Sequence, residues 1–165
     1  MHKIEWVYRE LLYAALEQKR YMFTQRELAR RFHISLSTVH HALQPLKAMG
    51  AIEVKQRSFH LLDPGKVLYH WASLRNPTRD IIYATRVPQP VKQIEAEMPA
   101  RALYGMYSAY KFRFQDVPAD YSEVYVYADP AEIQRRFPPA KGVPNVFVLS
   151  KDKYMENYGK TASLA

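Results

Sequence analysis

From Ile4 to Leu16 the apolar positions Ile4, Val7, Tyr8, Leu11, Leu12, Ala15 and Leu16 recur at steps of three and four, which predicts a helix with one buried face. Thr24-Gln25-Arg26-Glu27 then fits a capping box, in which the threonine oxygen and the glutamate side chain each satisfy a backbone N–H at a helix start. A short second helix is predicted from there through about Phe32, with Leu28, Ala29 and Phe32 on one face. His33-Ile34 makes a turn, and Ser35 is a good N-cap for a third helix running to about Met49, closed by Gly50. Pro45 has no N–H to return to the His41 carbonyl, so a kink is expected in the second half of that helix. Ile52–Lys55 and Phe59–Leu62 are short strand-like runs around Gln56-Arg57-Ser58, a hairpin with a basic tip.

Asp63-Pro64-Gly65 places a capping aspartate before a proline suited to a first helical turn, predicting a helix from Lys66 to about Leu74 with Val67, Leu68, Trp71 and Leu74 on a docking face. Asn76-Pro77 ends it. Strands are predicted at Ile81–Thr85, Glu123–Ala128 and Val146–Leu149. Helices are predicted near Val91–Glu97, from about Ala100 to Tyr110, and at about Ala131–Arg136 behind Asp129-Pro130. The expected fold is α+β: helices and a hairpin first, then a small mixed α/β domain.

Charge and composition divide the chain at the same joint. Residues 1–62 hold 10 Lys and Arg against 5 Asp and Glu, together with five of the six histidines, whereas ten of the thirteen tyrosines follow. A basic, histidine-rich domain at 1–62 and a tyrosine-rich domain at 63–165 are therefore expected. The net charge of +8 points to a polyanionic partner. With no cysteine there is no disulfide framework, zinc ribbon or thiol nucleophile, and the cytosol is the expected compartment. No apolar run approaches the roughly 20 residues that span a bilayer, and Met1-His2-Lys3-Ile4-Glu5 does not open a signal peptide. Five scattered glycines build neither a dinucleotide-binding turn nor a phosphate loop.

Two helices joined by a short turn, the second opening on Ser35 and burying Val39, Leu43 and Leu46, form a helix-turn-helix whose outer face is free to enter a major groove. Helical geometry puts Ser37, His40, His41 and Gln44 on that outer face, with Thr38 beside them and Leu36 at its edge. The stretch from Ile34 to Ile52, ISLSTVHHALQPLKAMGAI, followed by the basic hairpin, resembles the winged helix-turn-helix domain of bacterial and archaeal transcription regulators. Arg26, Arg30 and Arg31 beside the turn, Ser35 and Lys47 on the third helix, and Lys55 and Arg57 on the hairpin complete the candidate DNA-binding set. The cations are expected to neutralise phosphates, while Ser37, His41 and Gln44 supply sequence preference. Winged helices also serve as protein–protein modules, in which case the same polar face is simply solvated.

In the second domain, Ala102–Tyr110 (ALYGMYSAY), Tyr121–Tyr127 (YSEVYVY) and Asn145–Ser150 (NVFVLS) resemble the C-terminal region of AbiEi-type antitoxin and transcriptional-regulator proteins. That resemblance implies a repressor of its own operon with a nucleotidyltransferase-like toxin as partner. It also implies a further strand and helix after Thr161–Ala165, so that this chain would be a shortened form. Tyr104, Tyr107 and Tyr110 at three-residue steps, and Tyr125 and Tyr127 at two, are expected to share one face of their respective elements, as a core edge or a partner or effector surface.

Catalytic patterns are weaker. Ser108-Ala109-Tyr110-Lys111 fits S-x-x-K without the companion motifs of penicillin-binding enzymes, and Glu53-Val54-Lys55 lacks the aspartate of a nuclease site. Glu95 and Glu97 point apart on a helix, and the adjacent His40 and His41 cannot both face one metal. The expectation is a non-enzymatic, cytoplasmic regulator that binds double-stranded DNA as a homodimer, with no cofactor and no metal. An antitoxin-like interaction protein is the alternative.

Overall fold

The computed structural model describes residues 3–117 and 119–158; the expectation attached to 161–165 lies outside the described residues. The chain divides into two compact units, 1–75 and 76–165.

In the first unit, α1 (Lys3–Glu17) packs on α3 (Leu36–Ala48) and α4 (Pro64–Leu74), and α2 (Gln25–Phe32) packs on α3. Both expected N-caps are in place. The Thr24 hydroxyl accepts from the Glu27 N–H at 3.0 Å, and the Ser35 hydroxyl accepts from the Thr38 N–H at 3.0 Å. Between the helices His33 adopts φ 50° and the Ile34 N–H returns to the Ala29 carbonyl at 3.0 Å, which tightens the turn. Helix α3 runs through Pro45 to Ala48, and Gly50 follows at φ +68°, a conformation that favours glycine. Strands β1 (Met22–Phe23), β2 (Ile52–Val54) and β3 (Phe59–Leu61) form an antiparallel sheet in the order β1-β3-β2. The core of this unit is built on Val7, Leu11, Phe32, Val39, Leu46 and Phe59, all fully buried.

The boundary differs from the expected joint at Asp63. The Asp63 carboxylate does cap α4, accepting from the Lys66 N–H at 3.1 Å, but the helix then folds back on α1. Val67 is completely buried, the Trp71 indole donates to Glu5 at 3.1 Å, and the Tyr8 ring meets His70 edge-on at 5.5 Å. Burying one such valine stabilises by about 1.5–3 kcal/mol, enough to keep α4 with the first unit.

The second unit holds a four-stranded sheet in the order β4-β7-β6-β5, from β4 (Ile81–Thr85), β5 (Leu103–Tyr104), β6 (Val124–Tyr127) and β7 (Val146–Leu149). The β6–β7 pair is parallel, bridged by α7 (Pro130–Arg136); the outer pairs are antiparallel. Val124, Val126, Val146 and Val148 join Ile94 of α5 (Val91–Ala96) and Ile133 of α7 in one apolar core. Asn145 is buried at its edge, accepting from the Val87 N–H and donating to the Val87 carbonyl.

The helix expected over Ala100–Tyr110 is not formed as such. Leu103-Tyr104 is strand β5, paired with β6, and α6 spans Met106–Phe114. Gly105 is the break. Its backbone is extended and its N–H donates to the Tyr125 carbonyl at 2.8 Å, so sheet pairing holds these residues out of the helix.

Candidate nucleic-acid interface

The hairpin between β2 and β3 is closed by the Lys55 N–H donating to the Ser58 carbonyl at 2.8 Å, which puts Gln56 and Arg57 at its tip. Between this hairpin, the start of α2 and the start of α3 lies a groove of about 640 Å³. Arg26, Lys55 and Arg57 contribute its cationic side chains, Gln25, Gln56 and Ser58 further polar groups, and Leu36, Val54 and Phe59 an apolar floor. Lys55 also pairs with Glu53 at 3.4 Å, but both side chains are half exposed, so the pair is weak and exchangeable.

The groove reaches α3 at Leu36, at the start of the helix. Ser37, His40, His41, Gln44 and Lys47 are all exposed, while Val39, Ala42, Leu43 and Leu46 are buried on the opposite side. Ser35 and Thr38 are occupied at the helix start. Their hydroxyls lie 2.8 Å apart and Ser35 holds the Thr38 N–H, so these two position the helix. The Gln44 amide donates to Nε2 of His40 at 2.7 Å, and the His40 and His41 rings meet edge-on at 6.3 Å.

The three arginines of the turn separate. Arg26 lines the groove and Arg30 is exposed at the last turn of α2. The Arg31 Nε instead lies 3.1 Å from the Glu10 carboxylate of α1, which also pairs with Arg20 at 3.4 Å. Glu10 is fully buried, and an unpaired buried carboxylate is costly, so these arginines hold α1 against the helices that follow. Glu10 was missed because it occupies an otherwise apolar register beside Val7 and Leu11. That position, on the buried side of an amphipathic helix, was its only signal.

Residues 15–53 match the family model described as winged helix-turn-helix DNA-binding. No curated protein and no solved structure matches the chain. The N-terminal part of the chain is thus a winged helix-turn-helix domain, with α2 and α3 inside the matched stretch. The match supports a DNA-binding regulator and does not extend into the second unit, where the AbiEi-type resemblance has no counterpart among the comparisons. No described helix is long and apolar enough to cross a membrane.

Of the two tyrosine sets expected in the second unit, one is split between elements and the other shares a face. Tyr104 lies on β5, apart from Tyr107 and Tyr110 on α6, and its hydroxyl donates to the Glu95 carbonyl at 2.6 Å. Tyr107 is exposed and stacks on Tyr121 at 5.5 Å; Tyr110 is exposed beside Phe114 at 4.7 Å. Tyr125 and Tyr127 do share a face of β6, opposite Val124 and Val126, with Tyr125 stacked on Phe147 at 4.6 Å. Beneath α6, the buried Glu95 accepts from Lys111 and, at 2.6 Å, from the Tyr121 hydroxyl. Burial acts to lower the Lys111 pKa, but the hydrogen bond and charge of Glu95 outweigh it and push it up. A lysine held protonated in this way is no base for Ser108, whose side chain is itself buried, so the S-x-x-K pattern is a structural one.

Proposed function

We propose that this chain is a sequence-specific regulator of transcription that binds double-stranded DNA, placing α3 in the major groove and the basic wing on the flanking backbone or minor groove. The observation that carries this reading is the groove that brings Arg26, Lys55 and Arg57 together beside the exposed polar face of α3. Phosphate contacts from these cations and from Arg30 and Lys47 supply affinity, and the α3 face supplies sequence preference. Binding as a homodimer to paired half-sites, with autoregulatory repression as the outcome, completes the proposal. The exposed Tyr107, Tyr110 and Phe114 of α6 favour a second role, an antitoxin-like contact between the second unit and a nucleotidyltransferase-type toxin.

The test is binding to a mixed duplex pool that includes the upstream region of the protein's own gene, across a salt series, beside the Lys55→Ala/Arg57→Ala variant. Selective binding that weakens steeply with salt, with a log–log slope shallower by about 2 in the double variant, is the expected result. Absence of binding at low salt would overturn the proposal.

A further inference from the structure

Gln44 sits almost diametrically opposite the buried stripe of α3 at about 3.6 residues per turn, at the centre of the face that would meet the bases. Its amide is not loose. The Gln44 Nε2 donates to the His40 Nε2 one turn earlier, at 2.7 Å. An amide NH2 group only donates, so the His40 Nε2 is the acceptor of this bond.

That bond leaves Gln44 with one free N–H and a carbonyl oxygen. The free N–H and the oxygen together offer a base edge one donor and one acceptor. Among the bases, adenine presents the matching edge in the major groove: N7 accepts and the N6 amino group donates. Guanine offers two acceptors there, which sets its O6 against Oε1, and thymine and cytosine each lack one of the two partners. An untethered glutamine can rotate its amide to suit other edges; one held by His40 cannot do so without breaking that bond.

We infer that Gln44, oriented by His40, reads an adenine in the major groove, so that the His40–Gln44 pair sets specificity at one base pair of the target. Gln44 makes the contact; His40 is a positioning residue. The inference rests on the DNA-binding reading above.

The experiment is selection from a random duplex pool with the full chain, followed by binding to the selected site with each base, and with 7-deazaadenine, at every conserved adenine. Wild type, Gln44→Ala and His40→Ala are compared at low and moderate salt. At one adenine, the wild type should prefer adenine over the other bases by roughly 10- to 100-fold and lose most of that preference with 7-deazaadenine. Gln44→Ala should bring the preference at that position to within about 2-fold while leaving other positions unchanged. His40→Ala should weaken it at the same position, with the preferences at the other positions of the site retained. A selected site whose every position keeps its preference in Gln44→Ala overturns the inference but leaves DNA binding standing. Undiminished discrimination in His40→Ala overturns the positioning role. Failure of the wild type to bind any duplex overturns the DNA-binding reading itself, and this inference with it.

Discussion

Two neighbouring arginines near the end of α2 show how a cation's role is set by what lies across from it. Arg30 is exposed, and Arg31 is bound to a carboxylate that has no access to water. Their alanine variants should therefore behave differently. Arg30→Ala is expected to leave stability within about 0.5 kcal/mol and to weaken DNA binding with a shallower salt slope. Arg31→Ala should cost about 1–2 kcal/mol of unfolding free energy, because the buried Glu10 loses one of its ion-pair partners, and should change the salt slope little. Denaturant unfolding and a salt titration on both variants check this; equal salt slopes lost in both would show that Arg31 reaches phosphate after all. Sequence reading placed the two side by side because the partner that separates them stands on a different helix, outside any local pattern.

At the scale of elements, what was legible was what local chemistry decides. Capping threonine and serine, three- and four-residue periodicity and a basic hairpin tip mark α1, α2, α3 and the β2–β3 hairpin, and all of them form where expected. Strand β1 was missed because two residues carry no period and exist only through pairing with β3. The β5–α6 break was misread because tyrosines at three-residue steps imitate a helix face, while the deciding bond, from Gly105 to Tyr125, joins residues far apart in the chain. Tyr104 is tied across elements as well, from β5 to the backbone of α5, and this tie has a pH signature. Burial, then the charge of Glu95 and the neighbouring Tyr121, push the Tyr104 phenol up from 10.0 to about 12. A phenol raised on folding contributes stability that is fully present below pH 10.0 and lost as pH rises through about 12. For a half-buried group this amounts to about 1–2 kcal/mol. Unfolding free energies measured from neutral to alkaline pH should fall across that window, and Tyr104→Phe should flatten the fall; Tyr125, also pushed up to about 12 by burial and Glu123, adds to it, as do Tyr8 and Tyr121, whose phenols burial raises too. An unchanged slope in Tyr104→Phe would rule out the tie.

For the whole molecule, the position of the division between units decides what the DNA-binding part needs in order to stand alone. A composition boundary at Leu62 follows the change from histidine-rich to tyrosine-rich sequence, yet composition does not register that α4 covers α1. Removing α4 would uncover the surface that encloses Val67 and would leave Glu5 and Tyr8 without Trp71 and His70. Small domains have little surplus stability, so the loss of one packed helix is a large fraction of the total. A fragment of residues 1–75 should therefore unfold cooperatively and bind duplex DNA with the salt dependence of the full chain. A fragment of residues 1–62 should be less stable by at least about 1.5 kcal/mol, on the burial of Val67 alone, and should expose apolar surface. Thermal unfolding followed by circular dichroism distinguishes the two. Equal melting temperatures would mean that α4 only rests on α1, and that the winged helix is complete at the end of its wing. If instead only 1–75 is stable, the helix after the hairpin is part of the DNA-binding unit.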